Sequence, residues 1–188
     1  MSVAANATLY DCARLAAVFR ECFGQSENTE LRGGADEPLY LPAGAEQSSN
    51  LLYFREDYFA SALHEIAHWC IAGVERRKQV DFGYWYAPEG RSSQQQKAFE
   101  AVEIKPQALE WLFSLACAYP FQVSVDNFGP EGELVETTEF RRAVAEQASH
   151  WQQAGLPERA QQFFDALVVE FASGVNLSEL VFDPEGIA

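Results

Sequence analysis

A chain of 188 residues, 48% of them hydrophobic, is about the size of one domain and can bury a core without metal or disulfide staples. Its net charge of −15, from 28 acidic against 13 basic residues, disfavours broad attraction to nucleic acid or anionic lipid and suits a cationic ligand. The longest nearly apolar stretch, Trp111 to Phe121, contains Ser114 and Pro120 and falls well short of the roughly 20 residues that span a bilayer.

In chain order, no basic residue precedes Arg14, and Asp11 interrupts the apolar run that a secretory signal needs, so a cytoplasmic protein is expected. Leu9, Cys12, Leu15, Ala16, Phe19, Cys22 and Phe23 recur at three and four, which predicts a helix from Thr8 to Phe23. Short β-like pieces follow at Thr29 to Arg32, Leu39 to Leu41 and Leu51 to Phe54, parted by Gly33-Gly34, Pro42 and a polar run. Asp57 to Ile71 places Phe59, Ala62, Leu63, Ile66, Trp69 and Cys70 on one helical side, with Asp57 as N-cap and Gly73 as terminator.

Asp81 to Gly90, rich in aromatics and turn formers, is expected as a strand or ordered loop. Ser92 or Ser93 then caps a helix that carries Phe99, Val102, Leu109, Leu112 and Phe113 towards the core, with Pro106 kinking or dividing it. Phe121 to Val125 alternates as a short strand, and Glu136 to Gln153 and Glu158 to Ala172 read as two last helices. Cys12, Cys22, Cys70 and Cys117 lack C-x-x-C spacing and read as reduced packing thiols. The fold class predicted is α+β, a single domain over 1–188, mostly helical with a small sheet and a metal site on a central helix.

That site is His64-Glu65-Ile66-Ala67-His68, an H-E-x-x-H pattern. Four-residue spacing turns the two imidazoles to within about 40° of each other on a helix, so both can reach one divalent ion. The chain has three histidines, and two core histidines paired with other groups would each need a separate partner. A third ligand is expected from a carboxylate on the following helix. Glu100 and Glu103 are the candidates, with Glu103 favoured because the turns after it, with Leu109, Leu112 and Phe113, can pack it against the first helix. His150, beside Trp151 on a surface-like helix, is disfavoured.

Two histidines and one carboxylate serve two chemistries: zinc with an activated water, or non-haem iron(II) with dioxygen. In a zinc-dependent, peptidase-like hydrolase Glu65 is the general base, whereas in an iron enzyme it orients a ligand or a water. Spacing alone does not choose. None of the histidines has an acidic residue two positions later, which disfavours the 2-oxoglutarate oxygenases built on double-stranded β-helices. A structural metal is also disfavoured, since Cys70, the nearest further donor, points away from the histidine face.

Longer stretches narrow this choice. Pro38-Leu39-Tyr40-Leu41-Pro42-Ala43, Tyr58 to Gly73, Val80-Asp81-Phe82-Gly83-Tyr84-Trp85-Tyr86, Phe99-Glu100, Val102-Glu103, Lys105-Pro106-Gln107-Ala108-Leu109 and Tyr119-Pro120-Phe121 make the chain resemble the bacterial elongation factor P hydroxylase family. The resemblance implies a monooxygenase-type hydroxylation of the β-lysyl-modified lysine of elongation factor P, with Fe(II) as metal and dioxygen as co-substrate. It implies His64, His68 and Glu103 as the metal set, and it moves Glu65, the candidate catalytic residue of the motif, from general base to a group that orients a ligand or water beside the metal. Carboxylates Asp81, Glu89 and Glu100 would then hold the cationic arm, and Tyr84, Trp85 and Tyr86 would offer cation–π faces. Arg76-Arg77-Lys78 and Arg91, and more weakly Arg141-Arg142, would contact the factor. The family pattern Tyr-Cys-Pro-Asp-Gly is replaced here by Tyr86-Ala87-Pro88-Glu89-Gly90, which removes any role for a cysteine at that place.

Overall fold

The computed structural model describes residues 9–82, 91–124 and 137–187. Helix α1 (Cys12–Phe23) starts later than the periodicity predicts because Asp11 caps it, its Oδ1 accepting from Ala13 N at 2.8 Å. Three strands follow, β1 (Thr29–Ala35), β2 (Leu39–Leu41) and β3 (Asn50–Arg55), in sheet order β1-β3-β2. β1 runs parallel to β3 and β2 antiparallel to it. Gly33-Gly34 does not end β1 as predicted: the register slips between Arg32 and Ala35, and the strand resumes. Gly34 sits at φ +80, and a Cβ on Gly33 would stand 2.7 Å from Phe54 Cζ, so this bulge depends on both glycines.

Helix α2 (Phe59–Ile71) carries the H-E-x-x-H pattern. Its N-cap is Tyr58, without a side-chain cap bond, rather than Asp57, and it ends at Ala72, one residue before Gly73. The expected face is buried: Phe59, Ala62, Leu63, Ile66, Trp69 and Cys70 all lie in the core. A helix terminus leaves carbonyls without partners. Here Arg159 supplies them, its Nη2 donating to the carbonyls of Trp69, Cys70 and Ala72 at 3.2, 3.0 and 2.7 Å while its guanidinium lies over the Trp69 ring.

Helix α3 (Ser93–Ala116) opens with a capping box in which Ser92 Oγ accepts from Gln95 N and Gln95 Oε1 from Ser92 N. Pro106 lies inside it, yet α3 is one element, not two. Proline removes a single N–H, the one that would reach the Val102 carbonyl, and Val102 itself is 53% exposed. Val102 therefore does not point to the core as predicted, while Leu109, Leu112 and Phe113 are fully buried and hold the second half in place.

Residues 121–124 form no strand. Their backbone is tied elsewhere: Ser124 N donates to Gln107 Oε1, Gln107 Nε2 donates to the Ser124 carbonyl, and Val123 N donates to the Ile187 carbonyl. The expected continuation at Val125, and the predicted helix start at Glu136, lie outside the described residues. Helices α4 (Thr138–Ala154) and α5 (Glu158–Glu170) complete the core. Helix α2 packs on α3 and on β3, and α5 packs against α1, α2 and α3. Phe19, Phe23, Trp69, Phe113 and Phe163 meet at the centre. Cys12, Cys70 and Cys117 are buried, Cys22 half-buried, and all four are free. Among the described residues no helix is long and apolar enough to cross a membrane.

Candidate metal centre

The packing of α2 against α3 sets Glu103 opposite the two histidines. His64 and His68 lie one turn apart on α2, their Nε2 atoms 3.1 Å from each other. Glu103, 5% exposed, brings Oε2 to 3.5 Å from His64 Nε2 and Oε1 to 3.3 Å from His68 Nε2. One donor atom from each of the three lies within 4.8 Å of the others. Donors about 2.1 Å from a common ion stand roughly 3.0 to 3.5 Å apart at ordinary coordination angles, and the two imidazole nitrogens and the nearer Glu103 oxygen of each pair keep that spacing. Glu103 Oε2 is also buried without a hydrogen-bond partner. A buried carboxylate oxygen left without a hydrogen-bond partner beside an imidazole nitrogen is what a cation would satisfy, so the donor set fits a divalent metal.

The cluster lines a cavity of about 620 Å³. Tyr10, Tyr58, Phe59, Phe99 and Tyr119 supply aromatic wall, with Asp57, Glu65 and Glu110 among the acidic lining. Glu65 and His68 also line a smaller cavity of about 30 Å³ together with Tyr40, Arg76, Arg77 and Asp81. Burial pushes the Glu65 carboxyl above the usual carboxylate range, against the pull of the His64 and His68 rings.

His64 and Glu103 are shifted in opposite senses. Burial disfavours a charged His64, but the Glu110 carboxylate on Nδ1, backed by Glu103 and Glu65, outweighs it and lifts the ring to about 10. Burial would raise Glu103, but the hydrogen bond and charge of His68, with His64, bring it to about 2. In the metal-free protein the His64 contribution to stability is complete below its ordinary 6.5 and lost as pH rises through about 10. That of Glu103 is present above 4.5 and lost as pH falls through about 2, so the charged pair supports the metal-free fold best between pH 4.5 and 6.5. A metal needs the His64 lone pair, so loading near neutral pH should release about one proton per ion. Calorimetry in two buffers of different ionisation heat measures that number, and a value near zero would contradict a charged His64.

The remaining expected site residues among the described ones are scattered. Glu100, half-buried one turn before Glu103, accepts from Gln96 Nε2 at 2.9 Å and is outside the three-donor cluster. Asp81 pairs its backbone with Tyr40 and its carboxylate with Arg76, and it lines the smaller cavity rather than the larger. Arg91 is buried, donating from Nε to Gln96 Oε1, with its guanidinium 4.0 Å from the centre of the ring of Phe99, a residue of the cavity wall. Tyr84, Trp85, Tyr86 and Glu89 lie outside the described residues. Of the basic run, Arg77 turns inward onto Glu27 while Lys78 meets Glu75. Arg141, buried, is bonded to Glu185, Thr138 and the Pro184 carbonyl, and His150 is an exposed residue of α4, away from the cluster.

Sequence reading missed two residues of α3 beside the cluster. Glu110 Oε2 stands 2.8 Å from His64 Nδ1, and Gln107, buried one turn before it, fastens the segment at Ser124. The signal was there: Glu103, Gln107 and Glu110 follow the i, i+4, i+7 spacing of one helix face.

The fold and this cluster define a small α+β domain with a two-histidine, one-carboxylate candidate metal centre at the wall of an open cavity. The sequence pattern of the family described as elongation factor P hydroxylase matches residues 18–180. A Haemophilus influenzae protein described as elongation factor P lysine hydroxylase is 46% identical over 167 residues, which span 89% of this chain and 93% of that protein. The chain belongs to the elongation factor P hydroxylase family.

Proposed function

We propose that this chain hydroxylates the β-lysyl-modified lysine of elongation factor P in the cytoplasm, as a metal-dependent monooxygenase with Fe(II) held by His64, His68 and Glu103 and dioxygen as co-substrate. The observation that carries this reading is the convergence of the three donors on the cavity wall in a member of this family. Iron(II) bound there would supply the redox chemistry that activates dioxygen towards a C–H bond, with one oxygen atom entering the substrate, the other leaving as water, and two electrons drawn from an external reductant. The chain's own groups do the rest. Tyr10, Tyr58, Phe59 and Tyr119 offer aromatic faces to an aliphatic, cationic arm, and Asp57 offers a carboxylate near the same wall. Glu65, kept protonated more readily than an exposed carboxyl, can hold or give up a proton beside the cavity. Asp81, Glu89, Glu100, Tyr84, Trp85, Tyr86 and Arg91 remain proposed substrate contacts.

Metal analysis of anaerobically purified protein, followed by intact-mass measurement of modified elongation factor P, tests the proposal. The expected result is iron and a gain of one oxygen atom that depends on His64 and His68. Zinc with cleavage of the factor would replace this reading by the hydrolase one, in which Glu65 is the base.

A further inference from the structure

Besides Glu103, helix α3 puts a second carboxylate against the histidine pair. Glu110, seven residues on and so about two helical turns away, is 9% exposed. Burying a carboxylate is costly unless its charge is matched by a partner. Its Oε2 lies 2.8 Å from His64 Nδ1, within a strong, charge-assisted hydrogen bond. The other nitrogen of that ring, Nε2, is the one that faces His68 and Glu103.

An imidazole can present a lone pair to the cluster at Nε2 only when its proton sits on Nδ1. An acceptor fixed at Nδ1 selects that tautomer, sets the ring plane and raises the basicity of the opposite nitrogen. Among the described residues no carboxylate lies within ion-pair distance of His68 Nδ1, so this support is given to one histidine of the two. Resting on the metal-centre reading above, we propose that Glu110 is a positioning residue that locks His64 with its Nδ1 proton outward and thereby sets the affinity of the centre for its metal.

The probe is cobalt(II) alone, titrated optically into the metal-free chain and into Glu110→Gln and Glu110→Ala. Glutamine keeps an acceptor oxygen but no charge, and alanine keeps neither. Affinity should fall about 10-fold in the first and about 100-fold in the second. In the zinc-loaded protein the slowly exchanging His64 Nδ1–H resonance should be present in wild type and E110Q and absent in E110A, which a merely structural carboxylate would not produce. Should E110A fail to fold, E110Q carries the comparison. Equal cobalt affinity in wild type and the folded variants would overturn the role of Glu110 and leave the centre standing, whereas a wild type that takes up no cobalt would take down both.

Discussion

Glu103→Gln should empty the centre and cut hydroxylation by on the order of 100-fold or more, since outer hydrogen-bond partners of metal ligands already cost about 10- to 100-fold when removed. The substitution keeps the shape of the side chain and exchanges one oxygen for an NH₂ group. Whichever way the amide lies, a donor then replaces an acceptor opposite an imidazole nitrogen, where Oε1 and Oε2 now stand 3.3 and 3.5 Å away. The variant also loses the charge that His64 and His68 match, so the metal-free protein should be less stable than wild type between pH 4.5 and 6.5. Metal content by mass spectrometry and single-turnover product formation check the first effect, and thermal melts across that pH range check the second. A Glu103→Gln protein that keeps its metal while Glu100→Gln loses it would move the carboxylate assignment one turn along α3.

The parts of this centre that were legible in the sequence are those fixed by local periodicity. His64 and His68 share a face because four residues make slightly more than one turn, and the buried face of α2 follows from the same period. The choice between Glu100 and Glu103 was open to spacing alone, because it depends on how α3 is rotated against α2. In the structure that rotation turns Glu103 inward while Glu100 meets Gln96 on its own helix. Glu110 was missed because its role is defined by contact with His64, 46 residues away. Of the two outcomes expected at Pro106, a kink or a division, the division does not occur: breaking propensity is local, whereas Leu109, Leu112 and Phe113 hold the helix together through tertiary burial. The alternation at Phe121 misled likewise, since the backbone of that segment is satisfied by Gln107 and Ile187 rather than by a neighbouring strand. The sheet was readable in its pieces, but the bulge at Gly33-Gly34 shows that two glycines can bend a strand without ending it.

Phe19→Ala should cost about 3–5 kcal/mol. Phe19 is fully buried in α1, with its ring centre 5.0 Å from Phe23, 5.1 Å from Trp69 and 6.0 Å from Phe163. Trp69 follows His68 directly, so the cavity left by the lost ring would lie against the helix that carries both histidines. A domain of this size has about 5–15 kcal/mol to lose, so the metal-free variant should be marginal and its urea midpoint well below that of wild type. A metal that binds only the folded chain should, at about 100 times its dissociation constant, return roughly 2.7 kcal/mol to wild type and variant alike, provided the donor cluster survives the truncation. Equal gains on loading would locate the damage in the core and leave the centre intact. A smaller gain in the variant would mean that Phe19, through Trp69, also holds the histidines in register with Glu103. Urea unfolding with and without cobalt(II) separates the two, and a loss below about 1 kcal/mol in the metal-free variant would be incompatible with the aromatic cluster as the centre of the core.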